Sequence, residues 1–223
     1  NTTSIAWGDF DGDGKLDFAV GNYGQPVRLY RNDGSTLIPG AAWSSVETDN
    51  TYCLAWGDYD GDGRLDLAVG NYGQSVRIYH NDGAVGETPY MILVWSSEAG
   101  NTTSLAWGDY DGDGRLDLAV GNNDGQRNRV YRNDGVAAEG VPTMTLAWWS
   151  AEIDNTTSIA WGDYDGDGYL DLAVGNTGQP IRLYHNISGE LTPSAAWSSA
   201  EARLSTSIAL GDYDGDGELD LAV

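Results

Sequence analysis

Apolar and polar residues alternate along this chain in short runs that break at Gly, Asn and Asp. The first run is Thr3–Gly8 (TSIAWG), and it returns nearly unchanged at Thr103–Gly108 and Thr157–Gly162. The second is Leu16–Gly21 (LDFAVG), matched by Leu65–Gly70. The third is Val27–Tyr30 (VRLY), matched by Val76–Tyr79 and Ile181–Tyr184, with an Asn-Asp-Gly turn at Asn32–Gly34 to end it. The fourth is less regular and closes on Trp-Ser-Ser, as in Ala41–Ser45, Val94–Ser97 and Ala195–Ser199. No segment sustains a 3.6-residue period. Short β-rich runs between turn residues predict an all-β protein.

The runs recur as a set. An acidic loop joins the first to the second, and its first aspartates are Asp9, Asp58, Asp109, Asp163 and Asp212, at intervals of 49, 51, 54 and 49 residues. Four antiparallel strands in about 50 residues, repeated, predict the blades of a β-propeller. A lone four-stranded sheet cannot cover both of its faces, and stacking against neighbours does so. The expected repeats are 1–49, 50–100, 101–154 and 155–203, with 204–223 as the first two strands of a fifth, all in one domain. Either the half-blade belongs to a longer ring of which this chain is a fragment, or its open edge pairs with another chain, in a homo-oligomer.

Composition narrows the function. The chain carries 34 acidic and 11 basic residues, a formal charge of −23. This excludes a nucleic-acid groove, which needs a basic face, and disfavours anionic membrane surfaces. No apolar run approaches the roughly 20 residues of a membrane span. Aromatic residues make up 11% of the chain, so it is not a solvated acidic tail. The single cysteine, Cys53, stands where Ser4, Ser104, Ser158 and Ser207 stand in other repeats, and reads as a small packed residue. His80 and His185 align with Arg31 and Arg132 and read as exposed polar turn residues. No nucleophile motif or phosphate loop occurs, and the expectation is a protein without catalytic activity.

The acid is concentrated in the loops. In Asp58–Asp66 (DYDGDGRLD) carboxylates occupy positions 1, 3, 5 and 9, and glycines at 4 and 6 permit sharp turns. Position 7, Arg64, can offer its backbone carbonyl whatever its side chain. Two carboxylates 4 Å apart repel by roughly 4 kcal/mol at an effective dielectric near 20. Four of them therefore call for a cation, and an all-oxygen set suits Ca²⁺ better than the tighter octahedron of Mg²⁺. The opening D-x-D-G-D-G matches the first half of an EF-hand loop. The last acid, at position 9 rather than 12 and followed by a strand, does not.

The stretch W-G-D-Y-D-G-D-G-R-L-D-L-A-V-G resembles the FG-GAP/VCBS repeat, the calcium-binding propeller blade of integrin α-chain heads and many bacterial extracellular proteins. Ala-Trp-Gly and Ala-Val-Gly-Asn stand in place of the Phe-Gly and Gly-Ala-Pro elements, closer to the bacterial type. The resemblance implies one Ca²⁺ per repeat, up to five. It implies ligands at Asp9, Asp11, Asp13 and Asp17; at Asp58, Asp60, Asp62 and Asp66; and at Asp109, Asp111, Asp113 and Asp117. The fourth and fifth sets are Asp163, Asp165, Asp167 and Asp171, then Asp212, Asp214, Asp216 and Asp220. The carbonyls of Lys15, Arg64, Arg115, Tyr169 and Glu218 would complete them. It also implies a secreted or surface-displayed protein.

Two recurring groups could hold a ligand. Trp7, Trp56, Trp107 and Trp161 precede the loops, and Trp43, Trp95, Trp149 and Trp197 lie on the fourth strand, with Trp148 as an extra aligned to Ala42. Their spacing favours packing between blades, and an aromatic sugar platform is the alternative. The second group is Asn22, Gln25 and Arg28, repeated as Asn71, Gln74 and Arg77, then Gln126 with Arg129 and Gln179 with Arg182. This kit suits hydroxyl-rich ligands, or the arginines pair with the acidic loops. The expected function is a calcium-stabilised extracellular scaffold for binding or adhesion, with a carbohydrate or protein ligand. A multivalent lectin, a repeat-amplified or engineered propeller, and an accessory domain of a larger enzyme are the alternatives.

Overall fold

The computed structural model describes residues 1–85, 88–137 and 141–223. Among these residues every regular element is a strand. Two compact units form: Asn1–Thr102 with Gly135–Thr143, and Thr103–Asp134 with Met144–Val223.

In the first unit, β1 (Thr2–Gly8), β2 (Asp17–Asn22), β3 (Arg28–Tyr30) and β4 (Trp43–Ser44) form an antiparallel sheet in chain order. The second repeat departs from the expected four separate strands. After β5 (Thr51–Gly57), the second and third runs merge into β6 (Asp66–Val85). The fourth merges with the first run of the next repeat in β7 (Thr88–Gly108). The predicted breaks persist as register shifts within the β6–β7 pairing, one between Tyr72 and Gln74 and one between Asn81 and Ala84. Turn residues there bulge the ladder without ending it.

After β7 come β8 (Asp117–Asn122), β9 (Arg129–Val136) and β10 (Pro142–Trp149), most of whose residues fall in the second unit. Then come β11 (Thr156–Gly162), β12 (Asp171–Tyr184) and β13 (Trp197–Leu204) in one sheet. The last pair is β14 (Ala209–Gly211) with β15 (Asp220–Ala222).

Each unit is held by consecutive repeats packing on one another. In the first unit Phe10, Ala19, Val27 and Leu29 of one repeat meet Leu67, Val69, Tyr79 and Met91 of the next. In the second, Tyr110, Ala119, Val130 and Trp148 meet Ile159, Leu172, Val174, Tyr184 and Leu191. The approach is close enough to require glycine: a Cβ on Gly21 would lie 2.6 Å from Thr51 Cγ2. Trp56 Nε1 donates to the Ala6 carbonyl and Trp161 Nε1 to that of Ala106, each at 3.2 Å. Trp56 and Trp161 thus serve packing, while Trp7 of the first repeat is exposed.

The fourth-strand tryptophans need a correction. Trp148, expected to be the extra one, is the buried one: it meets Tyr184 edge-on at 4.9 Å, as Trp43 meets Tyr79 at 5.2 Å. Ser150 Oγ accepts the Asn128 N–H as Ser45 Oγ accepts that of Val27. This pins the register one residue away from the alignment by letters, so Trp149 faces outward where Ser44, Ser96 and Ser198 stand. A one-residue shift exchanges the faces of a strand.

Candidate metal centres

The ladder between the first two strands of a repeat ends on the pair Gly8↔Asp17, Gly57↔Asp66, Gly162↔Asp171 or Gly211↔Asp220. The acidic loop is therefore clamped between a glycine and the ninth-position aspartate. Inside it, Gly12 and Gly14 hold φ of 72° and 84°, and their counterparts do the same. This coil turns successive N–H groups onto the carboxylates. In the second loop Asp62 N donates to Asp58 Oδ1 at 3.0 Å, and Gly63 N to Asp58 Oδ2 at 2.9 Å. Arg64 N donates to Asp62 Oδ1 at 2.9 Å. The other four loops repeat the pattern, and Lys15, Arg115, Tyr169 and Glu218 fill the place of Arg64.

The ninth position differs in kind from the rest. Asp17, Asp66, Asp117 and Asp171 are fully buried, while Asp220 is exposed. One oxygen of each buried carboxylate accepts the N–H of the Asn at the end of the third run or just past it: Asn32 for Asp17, Asn81 for Asp66, Asn133 for Asp117 and Asn186 for Asp171, at 2.7–2.8 Å. The other accepts the N–H of Tyr59, Tyr110 or Tyr164 in three loops. In the first loop Asp17 Oδ2 is buried with no partner. Burial pushes Asp66 and Asp117 up to about 7, and the neighbouring acids add to it. Asp17 and Asp171 are raised for the same first reason.

These carboxylates converge. Oxygens of Asp9, Asp11 and Asp13 lie within 4.8 Å of one another, as do those of Asp58, Asp60 and Asp66 and those of Asp109, Asp111 and Asp117. These sets are rich in oxygen and partly sealed from water, and the first loop also carries the orphaned Asp17 Oδ2. The sets fit a hard divalent cation.

Sequence reasoning missed the bases beside the loops. His80 is not on an exposed turn: its Nδ1 lies 3.1 Å from Asp66 Oδ1 and 3.3 Å from Asp60 Oδ2. His185 Nε2 lies 2.7 Å from Asp165 Oδ2, and Arg31 Nε 2.7 Å from Asp11 Oδ2. Arg132 turns instead to Asp134. A base recurring just before the Asn of each third strand was the available signal.

The proposed ligand kit has structural partners. Asn71 is buried between Thr51 Oγ1 and the Ser75 carbonyl. Asn22 donates to the Pro26 carbonyl, and Gln74 and Gln179 accept the N–H groups of Asn50 and Asn155. Arg77 and Arg182 pair with Asp49 at 2.6 Å and Asp154 at 2.8 Å, not with the loops. Gln25 is exposed and Arg28 half-buried. Gln126 and Arg129 line a surface hollow with Trp149. Burial pushes the Cys53 thiol far above its usual range, which agrees with a packing role.

The chain matches the FG-GAP-like repeat family over residues 9–69, 58–120, 109–174 and 163–223, and it belongs to that family. Repeats of this family are generally non-catalytic and often belong to extracellular, adhesive domains. No curated protein matches the chain.

Proposed function

We propose that this chain is a calcium-stabilised, non-catalytic β-propeller module that acts outside the cell as a scaffold for binding or adhesion. The observation that carries this reading is the ninth-position carboxylate, fully buried at the same register in four successive repeats. A buried carboxylate is costly unless something compensates its charge. Calcium, when bound, supplies that charge and takes six to eight oxygens. Asp9, Asp11, Asp13 and Asp17, and their equivalents in each repeat, would hold it. The ninth-position aspartate also receives the strand-three Asn, so each loop can draw three strands together. The four-stranded antiparallel sheet of the first repeat, and the packing of consecutive repeats on one another, support the propeller.

The test is thermal unfolding with EDTA and with millimolar calcium, joined to calorimetric counting of bound ions. Calcium should raise Tm markedly and bind at up to five sites per chain. Equal Tm in the two conditions would remove calcium from this account. A second reading, a lectin, is favoured by one feature of the third repeat.

A further inference from the structure

Two departures of the third repeat from its neighbours meet at one place. In the other repeats the third-strand arginine faces a serine across the ladder: Arg28↔Ser44, Arg77↔Ser96 and Arg182↔Ser198. Arg182 Nη1 lies 3.0 Å from Ser198 Oγ, and Arg77 Nη1 3.4 Å from Ser96 Oγ. In the third repeat Trp149 stands at the serine position. The turn before β9 is also one residue longer, with Asp124 at a φ of 54°. Arg127 thereby stands where Pro26, Ser75 and Pro180 stand in the other repeats.

Trp149 and Arg127, together with Gln126, Arg129 and Leu146, line an open hollow of about 350 Å³. Trp149 is 53% exposed and Leu146 40%. None of the lining residues is acidic, in a chain with 34 acidic and 11 basic residues. Arg127 Nη1 donates to the carbonyls of Ser150 and Ala151. Carbonyls hold the guanidinium in place without neutralising it.

We propose that this hollow binds a carboxylated saccharide. An exposed indole face stacks on the C–H face of a pyranose ring. A guanidinium fork matches a carboxylate with two parallel hydrogen bonds. The Gln126 amide can both donate to and accept from ring hydroxyls. The volume, at the lower end of small-ligand sites, suits one or two sugar units. The site rests on the binding-scaffold reading and narrows it: one acidic-sugar site in the third repeat, in place of weak sites repeated in every blade.

The test is titration calorimetry of the calcium-loaded chain with galacturonate oligomers, their uncharged methyl esters and a glutamate peptide. One galacturonate site per chain is expected, weakening as salt is added. The methyl esters should bind at least about tenfold more weakly. Trp149→Ser, which restores the residue of the other repeats, should cut affinity at least about tenfold while Tm stays unchanged. The double variant Arg127→Gln/Arg129→Gln should also bind weakly and lose the salt dependence. Unchanged binding by Trp149→Ser, or a glutamate peptide that binds as tightly as the sugar, overturns the proposal. If calcium raises Tm and no galacturonate heat appears, this site fails while the scaffold reading stands. If calcium has no effect either, both fail.

Discussion

Asn81 Nδ2 donates to the carbonyl of Phe10 at 2.7 Å, across 71 residues of sequence, while Asn81 N donates to Asp66 Oδ1 at 2.8 Å. One buried side chain thus ties the acidic loop of the first repeat to that of the second. Asn186 does the same for Tyr110 and Asp171, at 2.7 Å each.

Replacing either asparagine with alanine strands the carbonyls of both loops. Asn81→Ala loses bonds to the carbonyls of Phe10 and Leu65 and one from Gly83 N. A buried group left unsatisfied costs about 1–3 kcal/mol; only the Phe10 bond is fully buried and the other two are part-buried, so a total near 2–4 kcal/mol is expected. Urea unfolding measures it. A loss below about 0.5 kcal/mol, the level of an ordinary surface change, would contradict the tie.

Asp66→Asn separates the ion from the fold. Asn keeps an acceptor for the Asn81 N–H and loses the one for the Tyr59 N–H, while it removes a charge that burial opposes, so the two changes offset. In EDTA the variant should unfold within about 1 kcal/mol of the parent. At calcium one hundred times Kd the parent gains about 2.7 kcal/mol per site, and the variant should gain one site less. Calorimetry should count one ion fewer; an unchanged count would exclude Asp66 as a ligand.

Tyr79 and Tyr184 donate to the carboxylates of Glu47 and Glu152, at 2.6 and 3.0 Å. Burial first, then the carboxylate in each case, raises both phenols well above their ordinary range. The folded state therefore favours the neutral phenol. Its contribution is complete below pH about 10, the unfolded value, and is lost above it. An ultraviolet alkaline titration should find these two ionising only as the chain unfolds. The double variant Tyr79→Phe/Tyr184→Phe should shorten that late phase by two tyrosines.

Trp148 and Trp149 should behave oppositely. Trp148→Ala empties a packed site and should cost about 3–5 kcal/mol. Trp149→Ala removes an exposed ring and should cost at most about 0.5 kcal/mol. Denaturant midpoints of the two variants compare them directly. Similar losses would refute the register that buries Trp148.

The strand-forming runs, the acidic loops and the repeats were legible in the sequence, although the breaks expected between runs of the second repeat survive only as register shifts. Runs, loops and repeats depend on local alternation and turn chemistry, and five copies make the pattern legible. The sequence also named the converging carboxylates, because a nine-residue loop closed by one hairpin brings its own side chains together. Tertiary structure alone decided which of Trp148 and Trp149 faces the core, since one residue of register exchanges the faces of a strand. It alone placed His80 against Asp60 and Asp66, and Asn81 against Phe10. The His80 contacts close within one repeat, where the third run folds back beside the loop, whereas the Asn81–Phe10 bond spans 71 residues. That bond forms only when sheets stack, and stacking is driven by burial, which specifies that faces meet without specifying which polar atoms then lie opposite.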